Sequence, residues 1–201
     1  MSAPWLEAVG GETVRLRAGE HRDAFDQEEI LFVESGLVVV RALDEGQRDA
    51  FAQIRRAPSV IGFERLDSAT PSYELYALTE VVLRVVATSD LEQLMGEASD
   101  AHHGLIRCCA ETLGANLEDR IAMSGSALVR VARLLVGDVG TVVRFSRVPH
   151  HLWAEIVGMR PETLSRALKT LHDHGWIQVD SDGVDILDAA RLERFVAEGD
   201  A

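Results

Sequence analysis

Short runs of apolar residues, separated by turn-forming residues, make up the first 88 residues of the chain. The runs are rich in Val, Ile, Leu and Phe, and segments such as Ser35-Gly36 and Asp44-Glu45-Gly46 lie between them. These runs predict six strands, over residues 13–17, 29–33, 37–42, 50–55, 73–78 and 81–86. Because several short strands at this spacing are typical of antiparallel sandwiches and barrels, the pattern predicts a small all-β domain.

A helical period replaces this pattern further along the chain. Ser89, with Glu92 three positions later, has the arrangement of a capping box and predicts the start of a short helix. A long helix is then predicted by an apolar residue at every fourth position, at Leu105, Cys109, Leu113, Leu117 and Ile121. Such an apolar stripe must be buried against another surface. Packing against the β-domain is one possibility, but the length of the stripe favours a homodimer with a two-helix seam.

Ser124-Gly125-Ser126 interrupts the long helix and marks the boundary of a C-terminal domain. The helical pattern resumes over residues 127–136, and its predicted apolar face consists of Leu128, Val131, Leu134 and Leu135. Gly137 and Gly140 end this helix, and residues 141–145 predict a short strand.

Two short helices joined by a tight turn are predicted over residues 150–173. The first covers residues 150–157, and Gly158 supplies the chain reversal. Arg160 precedes a proline and is biased out of the helical region, whereas Pro161 suits the first position of a helix. The second helix is therefore expected to run from Pro161 to about Asp173, before Gly175.

The second helix has an apolar face and a polar face. Leu164, Ala167, Leu168 and Leu171 form the predicted buried side. The opposite side carries residues at spacings of three, four and seven, namely Glu162, Ser165, Arg166 and Lys169. This layout is that of a helix-turn-helix, whose second helix enters the major groove of DNA.

The polar side chains suit contacts with DNA. Arginine makes bidentate contacts with guanine O6 and N7, glutamate accepts from cytosine N4, and serine serves either role. Lys169, and the hydroxyl or amide of Thr163, suit phosphates. The alternative is a solvated helix face in which Glu162 and Arg166 form an ordinary ion pair. Against it stands a predicted hairpin, residues 176–179 and 184–187 around Asp180-Ser181-Asp182-Gly183, which forms a wing behind the helix.

The net charge of −13 disfavours polyanionic partners in general. Residues 145–177, however, contain four Arg or Lys and three Asp or Glu, a net charge of +1, and four histidines. No signal peptide or membrane-spanning run occurs, so we expect a cytoplasmic protein without membrane contacts. The sequence has two adjacent cysteines, Cys108 and Cys109, and none of the common metal or nucleophile motifs. We therefore expect no enzyme, no metal and no cofactor.

Residues 152–177, LWAEIVGMRPETLSRALKTLHDHGWI, resemble the helix-turn-helix of the CRP/FNR family of bacterial transcription factors, whose motif is E-T-[VIL]-S-R-x-L-x-x-L. The segment ILFVESGLVVV at residues 30–40 resembles the family's β-roll. The resemblance implies an α+β chain with three parts. An antiparallel β-roll of the cyclic-nucleotide-binding jelly-roll type covers residues 1–98, a dimerisation helix covers 99–124, and a winged helix-turn-helix covers 125–201. It also implies a homodimer on palindromic double-stranded DNA, and RNA polymerase as a partner.

By this resemblance Glu162, Ser165 and Arg166 contact the bases. Pro161 stands where the cyclic-AMP receptor type has a further base-contacting arginine, so Arg160 is expected to reach phosphate and the half-site to contain a TGA core. The sensory segment VIGFERLDSATPSYELYALT departs further, since Phe63 separates Gly62 from Glu64 and Pro71-Ser72 replaces the expected Arg-Ser pair. Without that guanidinium a buried cyclic phosphate is poorly compensated, although Arg65 is a possible substitute. Dependence on cyclic AMP is not expected.

Other sensor types of the family have less support. No cysteine precedes Cys108, so an iron–sulfur cluster lacks ligands, while His21, His102 and His103 are the available haem ligands. Oxidant sensing by Cys108 and Cys109 stays open. Two other functions also remain as alternatives: a ligand-binding sensor that acts mainly through protein–protein contacts, and an enzyme built on the β-roll.

Overall fold

The chain forms two compact units, Met1–Leu117 and Glu118–Ala201. In the computed structural model, the described residues are 4–23, 28–43, 50–66, 72–95, 100–137, 148–180 and 183–199. Within them, no helix combines the length and the apolar character that crossing a membrane requires.

The first unit contains two four-stranded antiparallel sheets. Its strands are β1 (Glu12–Leu16), β2 (His21–Arg22), β3 (Glu29–Ser35), β4 (Leu37–Leu43), β5 (Ala50–Arg56), β6 (Ser59–Ile61), β7 (Ser72–Ala77) and β8 (Val81–Ala87). The strand order is β1-β8-β3-β6 in one sheet and β2-β7-β4-β5 in the other. All six predicted strands are confirmed, and the antiparallel β-domain with them. The sequence patterns missed β2 and β6, which are very short.

Strand β3 is buried on both faces, which explains its nearly continuous apolar sequence. Leu31 and Val33 point into the core between the two sheets, with Val38, Leu75 and Leu83. Ile30 and Phe32 lie in a second core on the other side, which includes residues of three helices. The helices are α1 (Pro4–Val9), α2 (Thr88–Met95) and α3 (Asp100–Ala122).

Two expectations for these helices need correction. The first unit is not purely β. It also contains α1, whose Leu6 and Val9 are buried, and a 3₁₀ turn (Phe63–Leu66) that follows β6. Helix α2 begins at Thr88, so Ser89 is inside the helix and is not its N-cap. The serine side chain is exposed at that position.

The apolar stripe of α3 has two parts with different surroundings. Leu105 and Cys108 are buried in the second core, and Cys109 is half-buried beside it. Leu113, Leu117 and Ile121 are exposed at 61%, 56% and 71% of their surface. The β-domain therefore covers only the first part of the stripe, and three large apolar side chains of the second part face solvent in the single chain.

The second unit consists of helices around a two-stranded hairpin. Its elements are α4 (Ala127–Val136), α5 (His150–Ile156), α6 (Pro161–Asp173), β9 (Ile177–Asp180), β10 (Gly183–Ile186) and α7 (Ala189–Glu198). Helix α4 packs against α6 and α7. Its buried residues are Val129, Val131, Ala132 and Leu135, whereas the predicted Leu128 and Leu134 are half-buried. The break at Ser124-Gly125-Ser126 is confirmed, and Ser126 is the N-cap of α4.

Helix α7 was not predicted from the sequence. Its Leu192 is completely buried, and Asp188 is its N-cap, because the Asp188 side chain accepts a hydrogen bond from the Arg191 amide. The predicted strand at residues 141–145 lies outside the described residues.

Candidate nucleic-acid interface

Local steric rules determine where α6 begins and ends. Arg160 is extended, with φ −75° and ψ 149°, and Pro161 occupies the first turn. At the other end Gly175 has φ +71°, and the amides of Gly175 and Trp176 donate to the carbonyls of His172 and Leu171. This is a Schellman motif, which satisfies the last carbonyl groups of a helix. The predicted bounds of α6 are confirmed.

Helix α5 ends in the same way, at the turn that leads into α6. Gly158 has φ +62°, and the amides of Gly158 and Met159 donate to the carbonyls of Glu155 and Ala154. A Cβ atom at Gly158 would also lie 3.4 Å from Nη1 of Arg130. Glycine therefore suits this turn for its backbone conformation and for the close approach of the Arg130 side chain.

The two faces of α6 are arranged as predicted. Leu164, Ala167 and Leu171 are buried, and Leu168 is half-buried. Glu162, Ser165, Arg166 and Lys169 are all exposed. The structure thus brings the four predicted polar residues together on the solvent side of one helix that is held by buried leucines.

The side chains on the exposed face bond to the backbone of α6 itself. The Ser165 hydroxyl donates to the Pro161 carbonyl at 3.1 Å, and Nε of Arg166 donates to the Glu162 carbonyl at 3.3 Å. Within the described part of the chain, Glu162 and Arg166 form no ion pair. A helix-stabilising ion pair between Glu162 and Arg166, which was the alternative explanation of this face, therefore does not account for their exposed positions.

The three residues expected near phosphates have different surroundings. Arg160 and Lys169 are exposed, whereas Thr163 is half-buried. The Thr163 amide donates to the Arg160 carbonyl at 2.9 Å, so this amide already has a hydrogen-bond acceptor. The hydroxyl of Thr163 is therefore the group that we assign to a phosphate contact.

Sequence patterns missed two contacts that shape this surface. Nε2 of His150, at the start of α5, lies 3.4 Å from the Ser165 hydroxyl. Nη1 of Arg130, in α4, donates to the carbonyls of Val157 and Gly158 at 3.0 and 3.1 Å, and so holds the turn before α6. Both contacts join residues that are far apart in sequence, and periodicity within one helix carries no signal for them.

The hairpin behind α6 is confirmed as a wing. Strands β9 and β10 pair Ile177 with Ile186 and Val179 with Val184. The centre of the Trp176 ring lies 5.3 Å from that of the Phe195 ring in α7. The backbone carbonyl of Trp176 accepts hydrogen bonds from the amides of Leu187 and Asp188. Trp176 therefore contacts α7 through its ring, and its carbonyl closes the base of the hairpin through backbone hydrogen bonds from the residues just before α7.

The second unit resembles a known family of domains. Residues 129–195 match the family model of the Crp-like helix-turn-helix domain, over the region from α4 to α7. Most of the second unit therefore matches the Crp-like helix-turn-helix domain. The resemblance to the CRP/FNR family that was drawn from the sequence is thereby confirmed. A search of curated protein sequences found no match.

Solved structures similar to this chain have the fold of CRP/FNR regulators. A CRP-family regulator from Thermus thermophilus is 21% identical, covering 92% of this chain and 96% of that one with a TM-score of 0.70. A CRP/FNR-family regulator from Eubacterium rectale is 16% identical, covering 96% and 92% with a TM-score of 0.75. FixK2 from Bradyrhizobium japonicum is 20% identical, covering 92% and 96% with a TM-score of 0.64. The Thermus thermophilus and Eubacterium rectale proteins are described as transcriptional regulators.

In the unit that precedes the Crp-like domain, the residues at the expected cyclic-nucleotide site contact one another. The Tyr73 hydroxyl donates to the Glu64 carboxylate, and the Arg65 guanidinium lies 5.2 Å from the centre of the Tyr73 ring. Nη1 of Arg65 also donates to the Glu29 carbonyl at 2.9 Å. Burial, and secondly the hydrogen bond to Glu64, raises the pKa of Tyr73, so its hydroxyl stays protonated. Glu64 and Arg65 are therefore engaged by the protein's own groups.

The two cysteines of α3 lie in surroundings that disfavour their thiolate forms. Burial is the main cause that raises the pKa of Cys108 to about 12 and that of Cys109 to about 11. The thiolate is the form that oxidants attack, and it is scarce for both residues at neutral pH. This environment disfavours an oxidant sensor at this position.

One group of possible metal ligands lies on the first unit, within the described residues. It consists of His21, Asp23 and Glu74, whose nearest ligand atoms lie within 4.8 Å of one another. Nη1 of Arg41 donates to Glu74 at 3.0 Å, and Asp23 is 86% exposed. Since a guanidinium already neutralises Glu74 and the group is open to water, it gives the enzyme alternative little support.

Proposed function

We propose that this protein is a transcription regulator that binds a two-fold symmetric DNA site as a homodimer, with α6 in the major groove. The observation that carries the proposal is the exposed row Glu162, Ser165, Arg166 and Lys169 on a helix whose opposite side is buried. A rigid helix with projecting hydrogen-bonding side chains is what recognition of base edges requires. The Crp-like domain match supports the same assignment.

Base recognition is assigned to Glu162, Ser165 and Arg166. Among the described residues, the Arg166 side chain bonds to the protein only through Nε, which donates within the helix, so its Nη atoms stay available. Two parallel Nη–H donors match guanine O6 and N7, and the Glu162 carboxylate matches the amino group of cytosine. With Pro161 in place of another base-contacting arginine, we propose a half-site with a TGA core.

Phosphate contacts are assigned to Lys169, Arg160 and the Thr163 hydroxyl, which flank the base-contacting row. The charge of the whole chain, −13, repels DNA, so binding depends on short-range contacts made by a small cationic area. Phosphate contacts of this kind orient a protein on the duplex without selecting a sequence.

Dimerisation is assigned to the second part of α3. Leu113, Leu117 and Ile121 follow one another at four-residue spacing and are all more than half exposed. A row of large apolar side chains at this spacing packs well against the same row of a second copy, which is the arrangement of an isologous two-fold interface. A dimer with this axis presents two copies of α6, as a palindromic site requires.

Regulation by cyclic AMP is not part of the proposal. Glu64 and Arg65 are engaged with Tyr73 and Glu29, and Pro71-Ser72 replaces the pair expected to hold a cyclic phosphate. By resemblance to the family, we further propose that the protein acts in the cytoplasm and contacts RNA polymerase.

Selection of bound sequences from random duplex DNA tests the proposal. We expect enrichment of a palindrome whose half-sites contain TGA, with the same sequence and affinity with and without cyclic AMP. No enriched sequence would contradict DNA recognition and would favour a sensor that acts through protein contacts. Enrichment only in the presence of cyclic AMP would contradict the assignment of the first unit.

A further inference from the structure

Two arginines on one face of α4 cap two different helix ends. Arg130 and Arg133 are about one helical turn apart. Nη1 of Arg130 donates to the carbonyls of Val157 and Gly158, at the end of α5. Nη1 of Arg133 donates to the carbonyl of Ala122 at 2.5 Å and to that of Ser124 at 3.0 Å, at the end of α3. Neither role is visible in the sequence.

Carbonyl groups at the end of a helix lack partners within the helix and carry partial negative charge. A guanidinium is a suitable partner because it offers several donors and a permanent positive charge. At the end of α3, the amide of Ser124 and its hydroxyl both use the Ile121 carbonyl. The carbonyls of Ala122 and Ser124 go to Arg133 instead, so this side chain bridges the turn between α3 and α4.

The connection between α3 and α4 is short, and two features make its direction sensitive to such a bridge. Gly125 has φ +98°, in the left-handed region that favours glycine. Ser126 caps α4 by accepting from the Val129 amide at 3.3 Å, a bond that lies within α4 and does not reach α3. Arg133 thus supplies side-chain hydrogen bonds that run from α4 back to the last turn of α3.

We propose that Arg133 is a positioning residue that sets the spacing between the two half-sites which the dimer accepts, whereas Arg130 maintains base discrimination within each half-site. The inference rests on the proposed function, because it takes α3 as the dimer helix and α6 as the recognition helix. The bond from Arg133 to α3 fixes the direction in which each DNA-binding domain leaves the dimer axis. The bond from Arg130 to the α5–α6 turn fixes α6 on its own domain.

Half-site spacing is a sensitive readout of that direction. One added base pair rotates the second half-site by roughly 35° and shifts it by about 3.4 Å along the duplex. A dimer with fixed domains tolerates this poorly, whereas a dimer with loosely attached domains adapts to it. A defect in base recognition alone does not change the preferred spacing.

The test compares Arg133→Met with Arg130→Met in the full chain. Methionine keeps much of the side-chain length and removes the donors. Each variant is titrated against the selected palindrome, against versions with one base pair added or removed between the half-sites, and against a version with one changed base in each half-site. Circular dichroism and thermal unfolding show whether each variant is folded.

We expect the parent to bind the altered spacings at least tenfold more weakly than the selected spacing. Arg133→Met should reduce this ratio to threefold or less and keep the parent's discrimination between bases. Arg130→Met should do the reverse, and Arg133→Lys should restore most of the spacing preference. Arg133→Met that is folded and keeps the parent's spacing ratio within twofold would overturn the proposal. Loss of spacing and base discrimination together would also overturn it, because that result indicates general loosening.

Hydrogen exchange without DNA separates failure of this inference from failure of the proposed function. The amides of Met123 and Ser124 donate to the carbonyls of Asp119 and Ile121 at the end of α3. In Arg133→Met they should exchange at least tenfold faster than in the parent, and in Arg130→Met at the parent's rate. Unchanged exchange in Arg133→Met would overturn the anchoring role whatever the DNA results. If the parent itself selects no palindrome, the proposed function fails, and exchange alone decides whether Arg133 anchors α4.

Discussion

Nε of Arg166 donates a 3.3 Å hydrogen bond to the backbone carbonyl of Glu162, one turn earlier in α6, and the Glu162 carboxylate takes no part in it. The bond engages the inner nitrogen of the guanidinium and leaves its two outer nitrogens without a hydrogen bond to the described part of the chain. Both charged groups are exposed although they are only four residues apart. Under the proposed function, the two groups have separate partners on the edges of neighbouring bases.

Arg166→Ala should therefore remove discrimination at one base position of each half-site. The expected loss is about 1–3 kcal/mol per contact, because the bidentate pairing with guanine has no replacement. Fluorescence anisotropy with the selected site and with single-base variants measures it. Arg191→Ala is the matched control, since Arg191 in α7 is 66% exposed and forms its ion pair with Asp188 of the same helix end. Parent-like affinity and selectivity in Arg166→Ala would mean that α6 is not the recognition helix.

Lys169 is the only lysine of the chain, which makes it a specific probe of the interface. An amine-reactive acetylating reagent should modify it in the free protein, where it is exposed, and should do so much more slowly when the selected duplex is bound. Mass spectrometry measures the two rates, and the α-amino group serves as the internal control. Equal rates with and without the duplex would place Lys169 outside the interface.

Lys169→Ala should weaken binding to all duplexes by a similar factor, because a phosphate contact is independent of sequence. The slope of log K against log salt should decrease by about 2, since a dimer loses two such contacts. Titrations at several salt concentrations measure the slope. A change confined to one base position would instead assign Lys169 to base recognition.

Local chemistry explains why the bounds of α6 were predictable. Pro161 fixes φ through its ring, and Gly175 adopts a positive φ without a side-chain clash, so the start and end of α6 depend on no distant contact. The buried and exposed sides of α6 follow from helical periodicity in the same way. In β3, burial on both faces leaves a continuous apolar run, which is also a local signal.

Features that depend on tertiary contacts were not predictable. Helix α1 is only six residues long, too short to show a clear helical period, and Leu6 shows its role only by being buried against the sheet. The ends of α3 and α5 are joined to α4 by Arg130 and Arg133, across 9 to 28 residues of sequence. Two arginines on a mostly apolar helix have no pattern that distinguishes such caps from solvent-exposed charges.

Leu117→Glu should separate the dimer, because it places a carboxylate in the centre of the exposed apolar row of α3. Analytical ultracentrifugation should show a monomer, and affinity for the full palindrome should fall towards that for a single half-site. Ala115→Glu is the matched control: it adds the same carboxylate at an exposed position on the opposite side of α3 and should leave a dimer. A dimeric Leu117→Glu would require a different interface.

Alkylation of Cys109 should report its buried surroundings. With a pKa of about 11, the thiol is protonated at pH 7.5, so it has roughly a hundredfold less thiolate than an ordinary cysteine. In Cys108→Ala, iodoacetamide should therefore react roughly a hundredfold more slowly with the folded protein than with the protein in denaturant. The rate for the folded protein should rise with pH up to about 11, because deprotonation is what limits the reaction.

Brief treatment with hydrogen peroxide at neutral pH should correspondingly leave DNA affinity unchanged. Fast alkylation at pH 7.5, or loss of DNA binding that a thiol reductant reverses, would show instead that α3 carries an oxidant-sensitive switch.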